Sequence, residues 1–248
     1  PITNNQHLRE IQSHRQVWER KPILRRAYAA LYARVQEHLS SGKGMTVELG
    51  SGIGAIKEFI PSCITTDIFP NPWLDRVENA YSLSFADSSV SNLILFDVFH
   101  HLEWPGTAFD EFSRVLQPGG HLILMEPGFG ALGKFVYKNF HHESLGVGQP
   151  IIWDRPTASS DATGRYYAAQ ANAWRIFVQR EDGDRISGWH QVLVKKLTAL
   201  SYVASGGFSH PALYPSILFP LVRIADNVGA LMPSLFATRL LVVLKRSP

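Results

Sequence analysis

The stretch VELGSGIGAIKEF, Val47 to Phe59, sets Gly50, Gly52 and Gly54 at alternate positions directly after a short apolar run, with Ser51 between the first two. Glycine permits φ > 0 and lets the backbone approach a ligand, while a helix start beyond it exposes unpaired N–H groups. A strand that runs into such a turn and then a helix builds a nucleotide site, with the ligand beyond the carboxyl ends of the strands. Asp67 closes the next apolar run, where an acid that accepts from ribose hydroxyls belongs. Gly50, Gly52 and Ala55 also satisfy the permissive dinucleotide pattern G-x-G-x-x-G/A, which makes an NAD-dependent oxidoreductase the rival reading. Glu48 weighs against it. An acid two residues before the first glycine brings negative charge that a dinucleotide site does not need, and it suits a ligand carrying an ammonium group.

These residues need elements to position them. Short apolar runs, MTVEL, CITTDI, NLILFD and HLILMEP, alternate with helix-like or loop segments. Such runs predict strands buried on both faces, the mark of a parallel sheet covered by helices, and so a doubly wound α/β fold. Ahead of them Leu24, Ala27, Tyr28, Leu31, Tyr32, Val35 and Leu39 recur at spacings of three and four. That periodicity predicts a helix, which Pro22 separates from an earlier one around His7 to Arg20. Pro105 to Leu116 predicts a crossover helix with Phe109, Phe112, Val115 and Leu116 inward, and QPGG, Gln117 to Gly120, turns the chain into the next strand. TRLLVVLKR, Thr238 to Arg246, predicts a final strand. Residues 128–184 hold few strand signals, many aromatics and polar turns, as a cap insertion would. Pro211 to Met232 is apolar and helical, broken by Pro215 and Pro220.

At this point the chain resembles the class I S-adenosylmethionine-dependent methyltransferases, specifically the "type 11" group. VELGSGIG looks like that family's first motif and TTDIFPN like its second. NAYSLSFADSSVSNLILFDVFHHLEWPGTAFDEFSRVLQPGGHLILMEP follows the rest of the core in order and spacing, FHHL and RVLQPGG being its most specific parts. The resemblance covers about residues 40–127 and the C-terminal strand. It implies a mainly parallel, seven-stranded Rossmann-like sheet and S-adenosylmethionine as cofactor. It further implies that Gly50, Ser51, Gly52 and Gly54 carry the backbone under the cofactor, that Glu48 orients its amino-acid end, and that Asp67 accepts from the ribose. Ile68 would pack on the adenine with Asn79 and Ala80 at its edge, and Asp97 would stand where sulfonium and acceptor meet. Asn79 stands where the family often has aspartate; its carbonyl can still accept from the adenine amino group. LSF (Leu83 to Phe85) and SVSN (from Ser89) also depart from the family's usual LPF and SFD.

Methyl transfer from a sulfonium needs alignment and, for a hydroxyl acceptor, a base, for which a histidine titrating near neutrality is suited. His101, His100 and Glu143 are the catalytic candidates, His101 first. The histidines follow the fourth strand, and Glu143 belongs to FHHES, Phe140 to Ser144, in the expected cap. His190, beside Trp189, is expected to be structural. The His-His pairs with Glu143 and Asp97 match no metal motif, so no metal is expected. GRYYAAQANAWRIF, Gly164 to Phe177, offers aromatic and amide side chains for a sugar or aromatic acceptor. The Pro211 to Met232 stretch has too many apolar residues for one stripe. It is expected either to bury against the sheet or a second subunit of a homodimer, or to make peripheral membrane contact near a lipid-linked acceptor.

The 248 residues, 45% hydrophobic and 18% charged, suit one large α/β domain. Its expected parts are N-terminal helices (1–43), a cofactor-binding core (44–127), a cap or acceptor region (128–190) and sheet completion (191–248). A net charge of +3 without a Lys/Arg block gives no reason to expect nucleic acid. One cysteine, Cys63, excludes an internal disulfide and cysteine-rich zinc modules. Without a signal-peptide pattern or an 18-residue apolar run, a cytoplasmic location is expected. The sequence thus predicts an S-adenosylmethionine-dependent methyltransferase, most simply O-methylating a small molecule or glycan.

Overall fold

Strand β4 (Val90–Phe96) is buried along its whole length: Leu93 and Leu95 enter one apolar layer, Ile94 and Phe96 the other. In the computed structural model, which describes residues 4–141, 143–156 and 167–247, two further strands repeat this division. β5 (Leu116–Pro127) sends Leu122 and Leu124 one way and Ile123 and Met125 the other, and β7 (Arg239–Arg246) divides Leu240 and Val242 from Leu241 and Val243. Strands apolar on both faces need cover on both. With β1 (Met45–Leu49), β2 (Ile64–Asp67), β3 (Arg76–Val77) and β6 (Trp189–Leu197) they form a seven-stranded sheet in the order β3-β2-β1-β4-β5-β7-β6. All neighbours are parallel except β7, which runs antiparallel to β5 and β6. The expected doubly wound α/β fold is the observed one.

Helices α1 (Asn4–Arg20) and α2 (Pro22–Gln36) cover one face, with Trp18, Leu24, Tyr28, Leu31 and Tyr32 in the layer beneath Ile94 and Phe96. Pro22 opens α2 rather than merely ending α1, since a first-turn position asks nothing of the missing N–H. The opposite face is covered by α3 (Pro105–Val115), α4 (Ala131–Phe140) and α5 (Asn172–Phe177), through Phe109, Phe112, Tyr137, Trp174 and Phe177. Short helix α6 (Leu200–Val203) leads to α7 (Phe219–Gly229) and α8 (Pro233–Phe236) before β7. Among the described residues no helix is long and apolar enough to cross a membrane.

Three local expectations are corrected. The glycine turn opens onto a single 3-10 turn, Ala55–Glu58, instead of an α-helix. Gly50, Gly52 and Gly54 all have φ between 51° and 68°, and Pro61 forbids helix continuation, so α2 takes over the cover by packing on Ile56 and Ile60. QPGG is not a free turn but the start of β5, absorbed as an irregularity: Val90 pairs with Leu116 and Asn92 already with His121. Pro220 starts α7 instead of breaking it, and α7 buries only Asp226 and Gly229, so the stretch is not buried against the sheet.

Candidate active site

The carboxyl ends of β1, β2 and β4 open onto one cleft of about 510 Å³. Of the residues expected at the site, Glu48, Gly50, Ser51, Gly52, Asp67, Ile68, Asn79, Ala80, Asp97, His101 and Glu143 line it; Gly54 and His100 do not. Gly54 lies against the Trp73 carbonyl. His100 is buried behind the wall.

On the β1–β2 side, Ser51 stitches the two strand ends together. Its N–H donates to the Thr66 carbonyl (2.8 Å), its hydroxyl to the Glu48 carbonyl (3.1 Å), and it accepts from the Thr66 N–H (3.1 Å). Asp67 braces the turn by accepting from the Gly52 N–H (3.1 Å) and the Phe69 N–H (3.3 Å). Gly50 has to be glycine because a Cβ would stand 2.3 Å from the Val98 side chain. At Gly52 a Cβ would meet only Ile11, at 3.7 Å, so this face of the backbone is open to the cleft. Ile68 keeps 43% of its surface exposed there, and Asn79 Oδ1 already accepts from the Tyr81 N–H (3.0 Å).

Glu48 is 1% exposed. The Tyr32 hydroxyl donates to its Oε1 (2.8 Å), while Oε2 has no hydrogen-bond partner. Burial pushes its carboxyl up to about 7, against the pull of the Tyr32 bond and with a contribution from nearby Asp67. Such a carboxylate is ready for a cationic ligand.

On the β4–β5 side another buried acid is fully engaged. Glu126 accepts from the N–H groups of Val98 (2.9 Å) and Phe99 (2.8 Å) and from His100 Nδ1 (2.7 Å), so it fixes the 3-10 turn Phe99–His101. Burial opposes a charge on His100, but Glu126 and Glu143 outweigh it and hold the imidazolium, pushed up to about 10. His101 moves the opposite way: burial and the charge on His100 lower it. Its Nδ1 donates to the Tyr167 carbonyl (2.9 Å), which leaves Nε2 the lone pair, 3.9 Å from Glu143 Oε1. His100, His101 and Glu143 bring donor atoms within 4.8 Å of one another, a spacing a divalent cation could use. His100 Nδ1 is held by Glu126, so only its Nε2 faces the same space as His101 and Glu143. His142 and the segment 157–166 lie outside the described residues.

Asp97 follows β4 directly with φ 56°, a left-handed conformation uncommon for a non-glycine residue, and pairs with Arg239. Burial works against the Arg239 charge, but Asp97 keeps it, and the guanidinium lies 4.1 Å from the Tyr202 ring centroid.

Sequence reasoning missed Glu126 and Arg239 behind the cleft and Tyr32, His7, His14 and Phe208 in its lining; it offered Tyr167 only as one aromatic of the stretch 164–177. Tyr32 carried a signal only as part of an apolar helix stripe. Glu126 is the one acid of HLILMEP and Arg239 the base at the start of TRLLVVLKR, which a reading of strand ends could have caught.

Comparison with known proteins bears on this geometry. Residues 47–124 match the family model of a methyltransferase domain. A Thermotoga maritima S-adenosylmethionine-dependent methyltransferase is similar over 96% of this chain and 99% of its own, at 15% identity and a TM-score of 0.54. The methyltransferase seen in complex with the Haloferax volcanii Trm112 activator gives 96%, 94%, 15% and 0.53. Geranyl diphosphate C-methyltransferase from Streptomyces coelicolor A3(2), in complex with Mg2+, geranyl diphosphate and S-adenosyl-L-homocysteine, gives 88%, 79%, 13% and 0.51. No match was found among curated proteins. The structural likenesses carry the fold, and the domain match falls on the glycine turn and the strands around it. This is a class I methyltransferase fold with a methyltransferase domain at its centre. The protein is an S-adenosylmethionine-dependent methyltransferase, and the oxidoreductase reading falls. The residues present fit that cofactor: Glu48 Oε2 is buried and unpaired beside a glycine backbone that leaves the cleft clear at Gly52.

Proposed function

We propose that the enzyme methylates a hydroxyl of a small-molecule or glycan acceptor, with His101 as the base. The observation that carries this reading is the His101 imidazole: it lines the cleft, its Nδ1 proton is tied to a carbonyl, and its pKa is lowered. A base must be unprotonated at working pH and able to reach its proton, and an imidazole in this tautomer is both. His100 is a positioning residue in this scheme. As an imidazolium locked on Glu126, it keeps a positive charge next to His101 and so holds His101 neutral. Glu143 then stabilises the proton that His101 takes up.

The bound cofactor supplies an electrophilic methyl group on a sulfonium. Glu48 holds its ammonium end, Asp67 accepts from the ribose with the lone pairs the turn leaves free, Gly50, Ser51, Gly52 and Gly54 shape the backbone beneath, and Ile68, Asn79 and Ala80 border the adenine. Asp97 lies between this group and the histidines. Residues 128–190 form the acceptor side of the domain, a division supported by Tyr167 and Glu143, which both reach the cleft from that segment.

His101→Gln tests the assignment. Transfer from methyl-labelled S-adenosylmethionine into an extract of the source cells should fall by about 10²–10⁴ while S-adenosylhomocysteine binding stays unchanged. The acid limb of the wild-type profile should lie below pH 6.5, since His101 titrates below that ordinary value. A variant that keeps full rate would assign the base elsewhere.

A further inference from the structure

Helix α7 is amphipathic in reverse. Its inward residue is Asp226, which accepts from the Ser201 N–H (3.0 Å) and hydroxyl (2.5 Å) and from Arg223 (2.7 Å). Its outward face carries Leu221, Ile224 and Val228, spaced as one helical stripe, and the turns on either side add Leu213, Ile217 and Leu231. These six are 56–82% exposed; one such residue is ordinary on a surface, but six on one ridge make an apolar patch that marks an interaction face. The polar anchor fixes the helix so that its apolar side points away from the protein.

The charge around this ridge has one sign. Asp226 is the single acid from residue 198 to residue 248, and it is buried. Helix α2, which packs on α6 and sends Arg26 to the Ser216 carbonyl (3.0 Å), contains no acid and exposes Arg25. Helix α4, which packs on α8, has no acid either and exposes Lys134 and Lys138 beside Phe135 and Phe140. We propose that this face binds an anionic lipid surface, with the α7 stripe in the headgroup–acyl boundary and the cationic rim on the headgroups. Aliphatic side chains ringed by Lys and Arg are the pattern that lies in a membrane interface, and burial and charge attraction add there. A second copy is the poorer occupant: a self-complementary contact would bring two cationic rims together. The ridge continues the segment that supplies Tyr202 and Phe208 to the cleft, so docking sets the cleft beside the lipid surface.

The test is co-sedimentation of the full-length protein with phosphatidylcholine vesicles, with and without phosphatidylserine. Binding is expected to the mixed vesicles and to fall by about tenfold or more, equivalent to ~1.4 kcal/mol, in Leu221→Ser/Ile224→Ser. Both positions are exposed, and an unchanged melting curve shows that the variant folds. Lys134→Glu/Lys138→Glu should weaken binding to the phosphatidylserine vesicles alone. No sedimentation with anionic vesicles overturns the proposal. So does sedimentation that the serine variant leaves intact, or a dimer in analytical ultracentrifugation that the serine variant abolishes without any vesicle binding by the wild type.

Discussion

Glu48 and Glu126 are two glutamates at the carboxyl ends of sheet strands, each almost fully buried, and they do opposite work. Glu126 is saturated by two backbone N–H groups and an imidazolium; it is a structural post for the turn that carries His100 and His101. Glu48 has one neutral donor, Tyr32, and one bare oxygen, and burial lifts it to about 7. A buried carboxylate with all its partners inside the chain rigidifies the fold, and one short of partners is a binding site held open at some cost in stability. The difference marks off the acceptor half of the cleft, built by internal hydrogen bonds, from the donor half, which a cation completes.

The sharpest way to break this contrast begins beside Glu48. Gly52→Val sets a β-branched residue at φ 51° and in the open cleft. The ~2.7 kcal/mol by which S-adenosylhomocysteine should stabilise the wild type at a hundredfold excess over Kd should vanish in a thermal-shift assay. If the shift survives, the ligand does not lie over this turn.

The two glutamates themselves should respond with opposite signs. Glu126→Ala strips buried His100 of the carboxylate that supports its charge and leaves two N–H groups unpaired in the interior, and should cost about 3–5 kcal/mol in denaturant unfolding. Glu48→Gln should stabilise the ligand-free protein instead. A carboxyl pKa of about 7 in the folded state, against 4.5 unfolded, is a penalty fully present above pH 7 and gone below pH 4.5. The gain should therefore reach on the order of 3 kcal/mol at most above pH 7 and disappear in acid. Equal losses for both variants would erase the distinction.

How much of this the sequence disclosed follows the same division. The glycine turn, Glu48 and Asp67 are local: strand, turn and acid lie within about twenty residues, so spacing alone carries them. The sheet was legible too, because strands buried on both faces are continuous apolar runs. The acceptor half was legible only in His100, His101 and Glu143, not in the groups that hold them. Glu126 and Tyr167 reach the histidines, and Arg239 reaches Asp97, from 26 to 142 residues away, and no local pattern encodes such a meeting. Tyr32 illustrates the limit best: its ring belongs to the helix stripe that buries α2, and only the packed structure shows its hydroxyl on Glu48. The α7 face was left open between sheet, second subunit and membrane for a related reason, since composition announces an apolar surface but not which way it points.

The most direct test of the account measures protons. Isothermal titration of S-adenosylhomocysteine near pH 6.5, in two buffers of different ionisation enthalpy, counts the protons released on binding. If an ammonium group pairs with Glu48, binding should release close to one proton more from the wild type than from Glu48→Gln. The wild-type affinity should also weaken by up to about tenfold per unit as pH falls below 7. Proton release that is the same in both proteins would contradict the central claim that the cofactor's ammonium group draws the Glu48 carboxyl into its charged form.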